Sequence, residues 1–184
     1  VADVVPLDRN NRILVAEGLR RIRAGQSRPG ILALLEVASR QYASVVASDL
    51  GFAIAPRINA AGRLEDMSIG IECLLCEDMA TARSQASRLH QINQERRVIE
   101  QVMQDEALRI LAKLELHEAS NLPVAMTLYQ SGWHQGVIGI LASRIKDRLH
   151  RPTIAFADGD AGELKGSARS IPGPRGFAPT SRHQ

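Results

Sequence analysis

Three polar side chains near the carboxyl end of the chain alternate along an extended stretch. Lys165, Ser167 and Arg169 occur in Lys-Gly-Ser-Ala-Arg-Ser, and residues two apart in a β-strand point to the same face. One face would therefore carry a row of groups able to grip phosphate, while Gly166 and Ala168 leave the other face flat. An exposed edge strand protected by charge explains the same row. The spacing alone leaves both interpretations open.

A second candidate is the glycine-rich stretch Gly132–Gly136, with the sequence Gly-Trp-His-Gln-Gly, which precedes a helix-like segment. The first turn of a helix offers unpaired amides and the positive end of the helix dipole, and both suit an anion. There, Trp133 could stack on a base and His134 could donate a hydrogen bond to a phosphate. Simple packing of the chain's one tryptophan is the alternative.

A third motif has two arginines six residues apart, Arg57 and Arg63, in Arg-Ile-Asn-Ala-Ala-Gly-Arg. The small residues between them let a ligand or another backbone approach closely. The planar guanidinium group suits phosphate, and we expect both guanidiniums to reach outward. The alternative is a helix end with two solvated arginines.

The chain offers few groups for metal chemistry. Asp158-Gly-Asp160 has a metal-like spacing, but Asp-Gly between two β-like runs is foremost a turn signal. Cys73 and Cys76 lack the further ligands of a zinc site, so we interpret them as core thiols. No second acidic pair lies near Asp3. The chain therefore cannot by itself supply the ligands of a two-metal site for phosphodiester cleavage.

The motifs are carried by predicted helices in the first part of the chain. Apolar residues at three- and four-residue steps predict four short helices there. They cover 11–22, Pro29–Ser39, a stretch beginning at Asp49 after a Ser48 cap, and Ser68–Cys76 with Ser68 as its cap.

A much longer helix follows. From the candidate cap Asp78, apolar residues keep helical spacing with no Gly or Pro before Pro123. Roughly 40 residues would span on the order of 60 Å, so we expect a strut that joins two bodies. A homodimeric coiled coil is the alternative, but Arg96 and Arg97 interrupt its seam, and the steps keep no strict heptad.

After Pro123 the pattern becomes strand, helix, strand, over Val124–Tyr129, Val137–Leu149 and Thr153–Ala157. Such a unit favours parallel strands. The Asp-Gly turn would then lead back into a third strand, Glu163–Ser170, which predicts an α/β second body. From Pro172 onward we expect an irregular end.

Charge and hydropathy limit the possible classes of protein. The net charge of +3 on 184 residues does not by itself indicate nucleic acid. Basic residues exceed acidic ones in 1–63 and 121–184, and acidic ones prevail in 64–120. This pattern fits two modules that face a polyanion, or simply three solvated surfaces. No apolar run approaches a membrane span, so we expect a cytoplasmic protein with no membrane partner.

Four stretches, taken in order, resemble the RecJ exonucleases of the DHH phosphoesterase superfamily. They are Val1–Leu7, Arg57–Arg63, Gly132–Arg144 and Lys165–Ser170, and the resemblance covers residues 1 to about 173. In that family a metal-binding DHH catalytic domain is joined by a long helix to a DHH-associated domain, with DNA in the cleft between them.

The resemblance implies an α/β fold class in four segments. These are the helical end of the catalytic domain in 1–77, the connecting helix in 78–118, the start of the DHH-associated domain in 119–173 and an irregular tail in 174–184. Because the first residue is Val1 rather than Met, we expect the chain to begin within a longer protein.

The resemblance also implies roles for individual residues. Asp3 matches the last carboxylate ligand of a Mn²⁺ or Mg²⁺ site. The residues that match or adjoin the nucleic-acid-binding motifs are Arg57, Arg63, Trp133, His134, Lys165, Ser167 and Arg169.

The activity implied is 5′-to-3′ hydrolysis of single-stranded DNA to mononucleotides in recombination and repair. The family's other metal ligands would lie before Val1, so we expect this chain to be inactive alone. The family continues after the third strand with a helix and a Gly-Gly-His motif, whereas this chain ends in Arg175–Gln184. A single-strand-binding protein is a candidate partner, and we expect a monomer.

Two other functions remain open. A DHH phosphodiesterase for short oligonucleotides or cyclic dinucleotides would share the phosphate-gripping residues, and tests of substrate length would separate it from the exonuclease. A noncatalytic nucleic-acid-binding or scaffold module is favoured if the natural chain starts at Val1.

Overall fold

A computed structural model describes residues 5–117 and 123–172, of which 113–117 and 161 are described by their backbone alone. The chain forms two compact units, Val1–Val98 and Ile99–Gln184. The boundary between them falls inside the longest helix. Each unit therefore has its own core, and each is described by itself.

The first unit is helical. Its α-helices are α1 (Arg9–Arg23), α2 (Pro29–Val37), α3 (Ala47–Asp49), α4 (Ala55–Leu64), α5 (Ser68–Leu75) and the first part of α6 (Met79–His117). A 3₁₀ turn, Tyr42–Ser44, lies between α2 and α3. The predicted helices over 11–22 and 29–39 correspond to α1 and α2.

Aspartates rather than serines accept the first hydrogen bonds at the starts of α1, α5 and α6. Asp78 accepts a hydrogen bond from the Thr81 amide at 2.7 Å, which fits its predicted role as the cap of α6. The predicted Ser68 cap is wrong, because Ser68 is the first residue of α5 and its amide donates to Asp66 at 2.8 Å. The predicted Ser48 cap is also wrong, because Ser48 lies inside α3.

A π-turn, Leu50–Ile54, joins α3 to α4. Within it the Ala55 amide donates to the carbonyl of Leu50, five residues back. Pro56 follows directly; it has no N–H, and its ring would clash with the carbonyl four residues earlier. The backbone therefore widens before α4 begins, in the single-turn form that π-helix usually takes. The sequence pattern had predicted one helix from Asp49.

The core of the first unit joins α2, α5 and α6. Leu34, Leu35, Cys73 and Leu89 are fully buried in it. Gly30 marks the closest approach of two helices, because a Cβ atom there would lie 1.8 Å from the carbonyl oxygen of Cys73. Burial raises the pKa of the Cys73 thiol, which fits the interpretation of this residue as a core thiol.

The second unit contains the end of α6 and a three-stranded sheet. The strands are β1 (Met126–Tyr129), β2 (Thr153–Asp158) and β3 (Leu164–Arg169), with helix α7 (Ile138–Leu149) between β1 and β2. In the order β1-β2-β3, β1 is parallel to β2 and β3 is antiparallel to β2. The predicted strand, helix, strand unit is confirmed.

The register gives the sheet one buried face. Leu128 pairs with Ala155, and both are buried together with Leu141 and Ile145 of α7. The α/β fold class is confirmed as a mostly helical chain with a small mixed sheet. No helix in the described ranges is long and apolar enough to cross a membrane.

Substituting Gly30→Ala tests the contact between α2 and α5. The added methyl group meets a backbone carbonyl that cannot rotate away, so we expect destabilisation of about 3 kcal/mol, the upper part of the range for overpacking. Gly18→Ala is the matched control, because a Cβ atom there meets nothing within 4 Å. Its expected effect is stabilisation of up to about 1 kcal/mol from helix propensity.

Urea unfolding of both variants measures the difference. Equal midpoints for Gly30→Ala and the unsubstituted chain would contradict the close approach of the two helices.

Candidate functional site

The arginine motif lies on α4, and its first arginine points inward. The Arg57 side chain is only 8% exposed. Its Nε donates to Nδ1 of His90 on α6 at 3.1 Å, and its Nη1 donates to the carbonyl of Ala53 at 2.5 Å. Arg57 shares the buried face of α4 with Ala60 and Ala61. This differs from the outward orientation expected from the sequence, and the helical spacing of those alanines could have predicted it.

The surroundings of Arg57 are positively charged. No carboxylate of the described residues lies within ion-pair distance of its guanidinium. Burial and, secondly, the charge of Arg97 lower the pKa of Arg57. Burial, then the charges of Arg57 and Arg97, lower the pKa of His90. Since a buried charge is costly unless it is compensated, this cluster favours an anion.

Arg63 lies in the last turn of α4 and is exposed. Six residues rotate a helix by about 600°, so Arg63 and Arg57 leave α4 in different directions. The structure therefore does not bring the two arginines of the motif together on one face.

The polar row of β3 lies on the side of the sheet that faces α7. Ser167 pairs with Ala155 and Arg169 pairs with Thr153, and both partners are fully buried. Paired residues of an antiparallel sheet point to the same face. The row therefore lies on the same face of the sheet as the apolar core, at the edge of that core. There Ser167 is half-buried and Arg169 is exposed.

Helix α7 holds the Arg169 guanidinium in place. Arg169 Nε donates to Oγ of Ser143 at 3.2 Å, and its Nη1 donates to Oγ of Ser167 at 3.0 Å. Gly139 leaves the necessary room, because a Cβ atom there would lie 2.8 Å from Arg169 Nη2 and 3.0 Å from Ser167 Oγ. Sequence reasoning missed Gly139 and Ser143; their spacing of one helical turn is the signal that could have found them.

Lys165 stands at the other end of the row. Its Nζ lies 3.6 Å from an oxygen of Asp160, and both side chains are well exposed. Exposed pairs of this kind contribute little to stability. Lys165 therefore contributes a solvated positive charge, and the fixed geometry of the row lies at Ser167 and Arg169.

The glycine-rich turn puts its two candidates in different surroundings. His134 is half-buried, and its Nδ1 accepts a hydrogen bond from the Gly136 amide at 3.1 Å. A neutral imidazole in this arrangement carries its proton on Nε2, which can donate. Trp133 is 3% exposed, and its Nε1 donates to Glu106 of α6 at 2.9 Å. This placement favours the packing alternative for Trp133.

Asp158 ties the same turn to the end of β2. Its carboxylate accepts hydrogen bonds from the Tyr129 hydroxyl at 2.8 Å, the Ser131 hydroxyl at 3.1 Å and the Gly132 amide at 3.2 Å. These bonds, that from Tyr129 first, lower the pKa of Asp158. Gly132 has a positive φ of 86°, which glycine adopts without strain. Asp158 is thus the last residue of β2 and anchors the turn at Ser131 and Gly132, a role that the Asp-Gly signal did not indicate.

The described residues offer cationic and hydrogen-bonding groups but no cluster of metal ligands. Within 5–117 and 123–172, no group of three or more His, Cys, Asp or Glu side chains could hold a metal ion. The predicted ligand Asp3 lies outside the described residues.

Comparisons with known proteins give one consistent family. The model of the DHHA1 domain family matches residues 120–176. The chain is 62% identical to the single-stranded-DNA-specific exonuclease RecJ of Dickeya dadantii, over 94% of this chain and 30% of that protein. It is 60% identical to the RecJ of Escherichia coli, over the same shares.

A solved structure gives the same relationship. The crystal structure of RecJ from Thermus thermophilus in complex with Mn²⁺ matches with a TM-score of 0.77 at 36% identity, over 93% of this chain and 24% of that one. The chain thus spans about three-tenths of the length of the curated relatives reported above.

Replacing Asp158 by Asn tests whether this carboxylate holds the turn. Asn keeps the size of the side chain but lacks the charge that strengthens the three hydrogen bonds. We expect amide hydrogen exchange to become several-fold faster at Gly132, which donates to Asp158, and at Trp133, which donates to the carbonyl of Gln130 in the same turn. Asp160→Asn is the matched control, because Asp160 is 94% exposed and pairs with Lys165 at 3.6 Å.

Hydrogen exchange followed by NMR gives both rates. Equal exchange at Gly132 in the Asp158→Asn variant and the unsubstituted chain would show that the turn is held by other contacts.

Proposed function

Because the chain belongs to the RecJ family, we propose that the whole protein hydrolyses single-stranded DNA from the 5′ end to mononucleotides. One observation on the chain's own residues carries this proposal: the guanidinium of Arg169 donates hydrogen bonds to the hydroxyls of both Ser143 and Ser167. Recombination and repair are the processes that such an activity serves.

Ser167 and Arg169 bind a phosphate of the strand in this proposal. Arg169 Nη2 makes no hydrogen bond within the described residues, so it is available to an incoming anion. A guanidinium held at Nε and Nη1 needs little reordering before it binds, which lowers the entropic cost of binding. Contacts to the backbone rather than to bases give little preference for sequence.

The other site residues have the following roles in this proposal. His134 donates from Nε2 to a phosphate, Lys165 attracts the strand by charge, and Trp133 supports the turn from inside. On α4, Arg57 binds a second phosphate, and Arg63 provides an exposed charge.

Mn²⁺ or Mg²⁺ is the proposed cofactor, with Asp3 as one ligand. RecJ from Thermus thermophilus was solved with each of these ions. Such an ion, when bound, activates water and neutralises the scissile phosphate. The described residues hold the strand in place and leave that chemistry to the rest of the protein.

The remaining parts of the proposal concern setting and organisation. We propose a monomer that acts in the cytoplasm with a single-strand-binding protein as partner. We also propose that 1–77, 78–118 and 119–173 have the domain roles expected from the sequence. The predicted irregular tail, 174–184, lies outside the described residues.

Replacing Arg169 by Gln in the whole protein tests the proposed function. The lost charge-assisted hydrogen bond is worth about 1.5–3 kcal/mol, so we expect the KM for a long single-stranded oligonucleotide to rise by roughly 10- to 100-fold. Arg148→Gln is the matched control, since Arg148 is an exposed arginine in the last turn of α7. It should leave KM within about twofold, as surface substitutions usually do.

Three outcomes oppose the proposal. Equal effects of the two substitutions would remove Arg169 from the substrate site. Cleavage of dinucleotides but not of long single strands would indicate the phosphodiesterase instead. If the protein cleaves neither substrate in the presence of metal, a noncatalytic binding module is favoured.

A further inference from the structure

Arg57 is held entirely by neutral hydrogen-bond acceptors. An arginine can only donate hydrogen bonds, and the described acceptors are Nδ1 of His90 and the carbonyl of Ala53. Elsewhere in the same unit, arginines contact carboxylates, as Arg83 does with Glu36 at 2.9 Å. The guanidinium of Arg57 is therefore held in one orientation, and no described carboxylate compensates its positive charge.

We propose that His90 is a positioning residue that aims Arg57 at a phosphate, and that Arg97 is the second cation of this phosphate-binding site. The proposal rests on the function proposed above, since the anion is a backbone phosphate of the single strand. The inference extends the phosphate-binding site at Arg57: the sequence motif contains only residues of α4, and His90 and Arg97 belong to α6.

One nitrogen of Arg57 remains for the ligand. Nη2 has no hydrogen bond among the described residues, and the buried polar atom without a partner in that part of the chain is a different one, Oε1 of Gln85. Arg57 Nη2 is therefore not fully buried. The 8% of the side chain that is exposed is the part that an anion can touch.

His90 can hold Arg57 only in its neutral form. Its Nδ1 accepts from Arg57 Nε, so the proton of the neutral ring lies on Nε2. The charged groups of the described residues that act on His90 are Arg57 from α4 and Arg97 from α6, and both lower its pKa, after burial. The neighbours thus keep the acceptor available near neutral pH.

Arg97 completes the cluster from two turns along α6. It is seven residues from His90, so the two side chains leave α6 on the same side. Arg97 is exposed and has no ion pair with a described residue. An anion that reached Arg57 would be near Arg97 as well, and two such contacts strengthen phosphate binding.

The test measures binding of a fluorescent single-stranded oligonucleotide to the whole protein, with metal chelated to prevent cleavage. His90→Leu removes the acceptor, and we expect Kd to rise about tenfold, the effect of losing roughly 1.4 kcal/mol. His90→Asn retains an acceptor near the position of Nδ1 and should restore Kd to within about twofold of the original. Gln91→Leu, an exposed neighbour on α6, is the control and should not change Kd.

Arg97 is tested by the dependence of Kd on salt, which a purely structural role would not alter. Each phosphate contact on a single strand contributes about 0.7 to the slope of log K against log salt. Arg97→Gln should reduce the slope by about that amount. Because Arg97 is exposed, we expect Arg97→Gln to fold. This variant therefore still tests the site if His90→Leu does not fold.

A histidine titration followed by NMR reports on the site directly. The bound phosphate offsets the positive charges that lower the pKa of His90, so the oligonucleotide should raise that pKa toward its ordinary value. His90→Asn identifies the signal.

The outcomes separate this inference from the proposed function. An unchanged salt slope, an unchanged His90 pKa, or equal Kd values for His90→Leu and Gln91→Leu would overturn it, even where Arg169→Gln still raises KM. Absence of any binding to single-stranded DNA by the unsubstituted protein would instead remove the function on which it rests.

Discussion

A guanidinium that binds phosphate must be held in one orientation while its positive charge stays uncompensated by carboxylates. Each unit of this chain contains an arginine that meets this constraint. Arg169 is held by the hydroxyls of Ser143 and Ser167, and Arg57 by a histidine nitrogen and a backbone carbonyl. Hydroxyl, imidazole and carbonyl groups accept hydrogen bonds but carry no negative charge. The charge therefore remains available to a ligand, which a carboxylate partner would have prevented.

Several features of the second unit together determine the position of the Arg169 guanidinium. The antiparallel register of β2 and β3 turns Arg169 toward α7, and Gly139 gives its guanidinium room there. Helix α7 is held in turn by the buried face of the sheet. Asp158 fixes the turn that leads into α7. The geometry of one surface group thus depends on packing, register and turn chemistry together.

Local spacing predicted much of this, and tertiary contact decided the remainder. Alternation in β3 and the strand, helix, strand order follow from short-range periodicity. The long helix follows from apolar residues at helical spacing with no Gly or Pro between them. The π-turn follows from the missing N–H and the ring of Pro56, and the inward orientation of Arg57 follows from its helical spacing with Ala60 and Ala61. Both signals are local, but the predictions from sequence did not use them. Burial of Trp133 against Glu106 joins residues 27 apart in sequence, a contact that no local pattern can indicate.

The most direct measurement is a crystal structure of the whole protein with Mn²⁺ and a single-stranded oligonucleotide whose phosphorothioate linkages resist hydrolysis. The account predicts a backbone phosphate within about 3 Å, the distance of a hydrogen bond, of both Ser167 Oγ and Arg169 Nη2, with the Ser143 contact kept. A strand that passes elsewhere, while Ser167 and Arg169 contact only protein and solvent, would contradict the central claim that these residues form a phosphate-binding site.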